Sequence, residues 1–218
     1  MRDEQHAEVR RDGLSPLVAQ LLARAGREGQ IAVPITATDL VEKVVAGSSL
    51  SVVRTPHSVS ELTRAATRDG VVLAAAPTGG FVFPDVVPGY DAVTALCKVL
   101  ELLAPERESL STLVAALPRP TLLHRATPCP WGRKGLVMRL LNEQLSSRRL
   151  DLMDGVKAYD DRGWVQVLPD PDEPVVHVYA EGETPELSEE LAAEVSASVE
   201  AIVQGDEAER RTVEQASS

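Results

Sequence analysis

No stretch of this chain is long and apolar enough to cross a membrane. Hydrophobic residues make up 44% of its 218 positions, yet none of their runs reaches the roughly 18 residues that a span requires. The start, Met1-Arg2-Asp3-Glu4-Gln5-His6, is charged and no apolar segment of a secretory leader follows it. The sequence therefore predicts a cytoplasmic protein with no membrane partner. Basic excess is missing too: 22 Lys and Arg stand against 33 Asp and Glu, a net charge of −11. Nucleic acid and anionic lipid both need a basic footprint, so neither is expected as a partner. Cysteine is scarce. Cys97 sits in an apolar helical pattern and Cys129 between Pro128 and Pro130, with no C-x-x-C spacing, so a thiolate metal site is not expected and two reduced thiols suit a cytosolic chain. A disulfide between them stays open at this stage. Much of the acid comes late, with eleven Asp or Glu from Glu181 onward against Arg210 and Arg211. That pattern reads as a solvated helix face with a disordered tail, or as an acidic docking site.

What is present is ordinary globular material, with a mean hydropathy of −0.07, in two rhythms. Residues 1–13 are charged and aperiodic, a flexible arm, and a first helix covers Leu14 to Ala25. Apolar β runs at Gln30 to Thr36, Leu50 to Arg54 and Val71 to Ala76 then alternate with helices opened by Thr38 or Asp39 and by Ser58 or Ser60. This is the order of right-handed βαβ units in an α/β/α three-layer sandwich. Ala92, Val93, Leu96, Val99, Leu100 and Leu103 recur at helical spacing, and Ser109 or Ser111 starts a further helix before Pro118. Pro118-Arg119-Pro120 marks the boundary. Beyond it a strand at Leu122 to Ala126, a helix at Lys134 to Leu145, short antiparallel strands from Leu150 to Glu181 and a helix at Leu187 to Val203 make a smaller α+β domain. The expected organisation is an arm at 1–13, an α/β/α domain at 14–117, an α+β domain at 121–204 and a disordered acidic tail at 205–218.

The most informative segment is Val167-Leu168-Pro169-Asp170-Pro171-Asp172-Glu173-Pro174-Val175, a Pro-rich acidic turn between two β runs. It resembles the last signature of the α-D-phosphohexomutases, the family of phosphomannomutase and phosphoglucomutase, which reads Arg-x-Ser-Gly-Thr-Glu-Pro ahead of a closing strand. Glu173 and Pro174 match it. Leu168 stands in place of the arginine, Asp170 of the serine, Pro171 of the glycine and Asp172 of the threonine. A phosphate dianion needs a bidentate guanidinium, hydroxyls and free N–H donors. Here two carboxylates would face it instead, and unit charges about 4 Å apart repel by roughly 4 kcal/mol at an effective dielectric near 20. The expectation is a degenerate phosphate loop that takes no phosphate.

The resemblance extends from about Leu14 to Val203 and implies the family's third and fourth domains in their usual order. Arg54-Thr55-Pro56 is similar to the end of the third domain's second strand, and Gly79-Gly80-Phe81-Val82-Phe83-Pro84-Asp85 to the tail of its sugar-binding loop, approximately Gly-Glu-x-Ser-Gly-His in the family. Gly79 is kept and Thr78 offers a hydroxyl, but Ala76 replaces the glutamate and Gly80 the histidine. The family's phosphorylated serine and its Asp-x-Asp-x-Asp loop for Mg²⁺ belong to the first two domains and have no match here. No catalytic residue, metal ligand or cofactor is therefore assigned to this chain; the cluster of Asp170, Asp172 and Glu173 lacks a His or Cys to complete a metal site.

Pro128-Cys129-Pro130-Trp131-Gly132-Arg133-Lys134-Gly135 resembles a degenerate module fused behind the nucleotidyltransferase of actinobacterial mannose-1-phosphate guanylyltransferase-like proteins. Arg133 and Lys134 could steer an anion at a helix start, or form an exposed first turn with Trp131 packed as a staple. His177 lies where the family often has arginine and could contact an anion when protonated. His57 reads as a surface residue near the former cleft and His124 as structural. Substrate contacts, if kept, would come from Arg54, Thr78, Gly79, Arg133, Lys134 and His177. The resemblance implies a protein of sugar-phosphate or nucleotide-sugar metabolism, non-catalytic alone, partnered by a nucleotidyltransferase. The alternatives are a chain that completes a mutase site in trans with the family's first two domains, or an interaction module with no sugar ligand.

Overall fold

The computed structural model describes residues 13–77, 79–119 and 121–216, with backbone alone from 206 onward. It divides into two compact units, residues 1–120 and 121–218, at the Pro118-Arg119-Pro120 break. The expected arm lies, but for Gly13, outside the described residues.

In the first unit, α1 (Leu14–Arg24) precedes β1 (Gly29–Pro34), α2 (Leu40–Val45), β2 (Leu50–Thr55), α3 (Val59–Ala66) and β3 (Val71–Ala75). The two-residue β4 (Phe81–Val82), α4 (Ala92–Leu103) and α5 (Leu110–Ala116) follow. The sheet runs β2-β1-β3-β4, parallel except for β4. Alternation along the strands splits the core. Ile31, Val33, Leu73 and Ala75 pack with α1, α2, α4 and α5, while Ala32, Ala74 and Val82 meet Leu62, Ala65 and Ala66 of α3. That is the expected α/β/α sandwich. Ser58 and Ser109, both offered by the sequence, and Asp91 accept the backbone N–H three residues on, from Glu61, Thr94 and Thr112, whereas the Asp39 side chain makes no capping bond at α2 and Thr38 Oγ1 accepts from Leu40 N at 3.1 Å.

In the second unit, β5 (Leu123–Pro128) leads through a 3-10 turn at Trp131–Arg133 into α6 (Lys134–Gln144). Then come β6 (Arg149–Asp151), β7 (Val156–Asp160), β8 (Gly163–Pro169), β9 (Val175–Gly182) and α7 (Pro185–Ala216). The sheet is antiparallel in the order β5-β9-β8-β7-β6. One face, with Val156, Ala158, Val165, Val167, Val176 and Val178, packs on Val137 and Leu141 of α6 and Leu191, Val195 and Val199 of α7. The turns fall at Asp154-Gly155 and Asp161-Arg162-Gly163, where Asp and Gly favour them, and at the acidic loop. α7 departs from expectation: it runs as helix to Ala216, through residues 205–216 of the expected disordered tail, while 217–218 lie outside the described residues. Residues 206–216 contain no proline and are rich in Glu, Arg, Ala and Gln, good helix formers that override one glycine at 205.

Candidate functional site

The acidic loop, residues 170–174, closes the hairpin of β8 and β9. Asp170 N donates to Val175 O at 3.1 Å and Val175 N to Glu173 O at 2.8 Å. The Asp170 carboxylate turns inward on its own loop. Its Oδ1 accepts from the N–H groups of Asp172, 2.7 Å, and Glu173, 2.6 Å, and its Oδ2 lies 2.7 Å from His177 Nε2. The His177 contact first, then the N–H of Asp172, hold the Asp170 carboxyl down to about 2. The expectation that Asp170 would confront an incoming phosphate is thus replaced by a different role. It is an internal anion, occupying the N–H donors that a phosphate loop would present.

A clamp from the other side completes the loop. Lys134, at the first residue of α6, donates from Nζ to the carbonyls of Asp170 and Glu173, and Cys129 N donates to Pro174 O at 2.8 Å. Its ammonium lies 3.8 Å over the Trp131 ring. Lys134 and Arg133 are both buried, whereas Trp131 is exposed, so the reading of an exposed first turn with a packed tryptophan is reversed. The cation is inside, and the ring shields it. Leu168 is buried, while Pro171, Asp172 and Glu173 are exposed.

His177 also reaches sideways. His124 Nε2, on edge strand β5, lies 3.0 Å from His177 Nδ1, and His124 stacks on Tyr179 at 4.5 Å between centroids. Burial, then the Asp170 charge, pushes the Tyr179 hydroxyl up. Asp170, His177 and His124 thus form one hydrogen-bonded run across the sheet face away from α6 and α7. Sequence reasoning read His124 only as structural. The available signal was its register, opposite Tyr179 and one step from His177.

The same face buries Lys157, 1% exposed, with its ammonium 3.5 Å from the Trp164 ring centroid and 5.3 Å from that of Tyr159. A lysine alternating with apolar residues reads from sequence as a solvent position, and the rings of Trp164 and Tyr159 make it an interior one here.

In the first unit Arg54 and Gly79 mark the carboxyl ends of the parallel strands β2 and β3. Arg54 is the hub of a structural clamp. Nε and Nη2 reach Glu42 at 2.8 and 2.7 Å, Nη2 reaches Asp39 at 3.0 Å, and Nη1 donates to Ala37 O at 2.6 Å and Pro34 O at 3.2 Å. Burial pushes the Glu42 carboxyl up and Arg54 opposes the shift. Gly79, at φ +95, closes a tight turn in which Gly79 N donates to Ala76 O and Ala76 N to Gly80 O. A Cβ there would come within 2.8 Å of Leu14. Thr78 lies outside the described residues. His57 Nδ1 sits 2.6 Å from Thr36 Oγ1.

The structure therefore joins Lys134, Asp170, Glu173 and His177 in one cluster, and gives Arg54 and Gly79 their own local partners. Among the described residues, no group of three or more His, Cys, Asp or Glu is placed to hold a metal ion. Cys97 and Cys129 are free thiols, the first exposed and the second buried. No described helix is long and apolar enough to cross a membrane.

Comparison with known proteins agrees with this architecture. The family model described as phosphoglucomutase/phosphomannomutase, alpha/beta/alpha domain III, matches residues 11–121. A protein of Methanopyrus kandleri named "probable phosphoglucosamine mutase" is 30% identical over 185 residues, which is 84% of this chain and 41% of that protein. A phosphoglucomutase/phosphomannomutase of Thermococcus kodakarensis is 25% identical over 189 residues, 86% of this chain and 41% of its own length. Among solved structures, a phosphoglucomutase/phosphomannomutase family protein from Burkholderia thailandensis superposes with a TM-score of 0.70 at 17% identity. It covers 88% of this chain and 41% of that one. The chain spans about two fifths of the length of these curated relatives.

Proposed function

The chain belongs to the α-D-phosphohexomutase family, and on that premise we propose that it is a non-catalytic module of sugar-phosphate or nucleotide-sugar metabolism, working as a subunit of a mannose-1-phosphate guanylyltransferase-type assembly. The observation that carries this reading is the Asp170 carboxylate seated on the N–H groups of Asp172 and Glu173. A loop whose donors are already taken by its own anion offers little to a phosphate, and leucine at 168 supplies no guanidinium in its place. The segment 128–135, by which the chain resembles the guanylyltransferase fusions, supports the assembly reading. It is also what clamps the loop, through Lys134 and Cys129. On this reading Mg²⁺ and the phosphorylated serine are matters for other chains, and the protein works in the cytoplasm.

Two measurements test the proposal. Calorimetry with mannose 1-phosphate and mannose 6-phosphate should give no heat of binding, and co-production with a guanylyltransferase should yield a complex of fixed stoichiometry. Hexose phosphate binding that vanishes in Arg133→Ala or Thr78→Val would instead establish a surviving sugar site that includes those residues.

A second reading is favoured by the chain's two-fifths share of its relatives: it completes a mutase site in trans with chains that supply the rest. Arg54, Gly79, Arg133, Lys134 and His177 would then be its substrate side. Conversion of mannose 1-phosphate to mannose 6-phosphate on mixing with such chains, absent without this one, is the outcome that decides for it.

A further inference from the structure

Strands β5 and β9 bring two imidazoles together on the sheet face away from α6 and α7. His124 Nε2 lies 3.0 Å from His177 Nδ1. The two are diagonal neighbours on antiparallel strands, since His124 pairs with Tyr179 and His177 with Ala126. The other nitrogen of His177 is already committed. Its Nε2 lies 2.7 Å from Asp170 Oδ2, and an ionised carboxylate can only accept, so Nε2 carries the proton. In the neutral ring Nδ1 therefore holds a lone pair, and it does so beside His124.

A carboxylate behind one imidazole nitrogen, with the lone pair of the other left for a ligand, is the arrangement that supports metal-binding histidines. It fixes the tautomer and raises the basicity of the binding nitrogen. Asp170 is itself held for that role, because its second oxygen accepts from the N–H groups of Asp172 and Glu173. The His124 ring is steadied by stacking on Tyr179, 4.5 Å between centroids. Entry is open, since His124 is exposed and stands on an edge strand. Charge favours a cation, with Asp172 and Glu173 exposed nearby on a chain of net charge −11.

The separation indicates which cation. Imidazole nitrogens bind first-row metals at about 2.0–2.1 Å, so two of them 3.0 Å apart subtend roughly 90–97° at the ion. That is the cis angle of a tetragonal site, the geometry of Cu(II) and Ni(II), and is tighter than tetrahedral zinc prefers. Among the described residues, no third His, Cys, Asp or Glu joins the pair, so water completes the coordination. We propose that His124 and His177 form a two-histidine site for a divalent ion of the Cu(II) and Ni(II) class, with Asp170 orienting His177. On binding, the N–H between the rings moves to His124 Nδ1, both facing nitrogens give their lone pairs to the ion, and neither ring changes charge. The ion would tie edge strand β5 to the hairpin that carries the acidic loop. This assignment is independent of the function proposed above.

Titration of the full chain with Cu(II) at neutral pH, followed by electron paramagnetic resonance and calorimetry, tests it. One ion per chain should bind, with hyperfine splitting from two imidazole nitrogens, and Ni(II) and Zn(II) should each bind more weakly. Asp170→Asn should keep both nitrogens in the spectrum and weaken binding about 10–100-fold. His124→Ala, at an exposed edge position, should keep the native circular dichroism, remove one nitrogen from the spectrum and weaken binding further than Asp170→Asn does. His6→Ala and His57→Ala, at the other two histidines, should change neither. A spectrum with fewer than two nitrogens, one unchanged in His124→Ala, a site lost with His6 or His57, or Zn(II) held as tightly as Cu(II) overturns the proposal.

Discussion

His177 Nε2 meets Asp170 Oδ2 at 2.7 Å across the base of the acidic loop, while the other oxygen of that carboxylate holds two backbone N–H groups. The pairing makes the loop acid-sensitive. Asp170 titrates at about 2 in the folded chain, against about 3.9 for an unfolded aspartate. A depressed carboxyl contributes stability above the unfolded value and loses it as pH falls through the folded one. The contribution should therefore be complete above about pH 4 and disappear toward pH 2. Amide shifts of Asp172 and Glu173 followed by NMR should report that titration, and Asp170→Asn should abolish it. A midpoint near 4 would show that the carboxylate is not held as described.

Lys134 is expected to matter for stability. Its ammonium satisfies two loop carbonyls from a buried position, so Lys134→Met leaves both without a donor. Hydrogen bonds to charged groups contribute about 1.5–3 kcal/mol, and urea unfolding should register a loss of roughly that size. The acid transition of Asp170 should also broaden as the loop loosens.

Arg54→Met removes the two largest of the interactions that lower the Glu42 pKa, so that carboxyl should titrate higher still than in the parent. Because its folded value is already raised, the contribution of Glu42 to stability becomes less favourable as pH rises through it. Carbon-detected NMR titration of the Glu42 carboxyl in the two proteins gives the comparison. An unchanged or lower value in the variant would contradict the clamp.

Gly163, like Gly155, cannot carry a side chain where it stands. It opens β8 at φ +143, and a Cβ there would lie 2.1 Å from Glu181 O. Gly163→Ala should cost more than about 2 kcal/mol in thermal or urea unfolding, since strain and collision add.

How much of this could be read from the sequence follows the range of each interaction. Strands and helices came from periodicity and caps, which are local: Ser58, Ser109 and the turns at 154–155 and 161–163 did what their residue types dictate. The place of the acidic loop is legible in its prolines and flanking β runs, but its chemistry is not. Charge alone sets Asp170 facing outward, whereas its side chain folds back on the N–H groups of Asp172 and Glu173 in an Asx-type turn. Lys134 lies 36 and 39 positions from its acceptors, beyond any pattern in a single sequence.

The chain has two tryptophans, Trp131 and Trp164, and both lie in the second unit. Trp164 is buried against Lys157 and Trp131 is exposed beneath Lys134. Tryptophan emission is therefore blind to the first unit. A denaturation curve recorded by fluorescence describes residues 121–218 alone, and only its disagreement with far-ultraviolet dichroism would reveal whether the two halves melt as one.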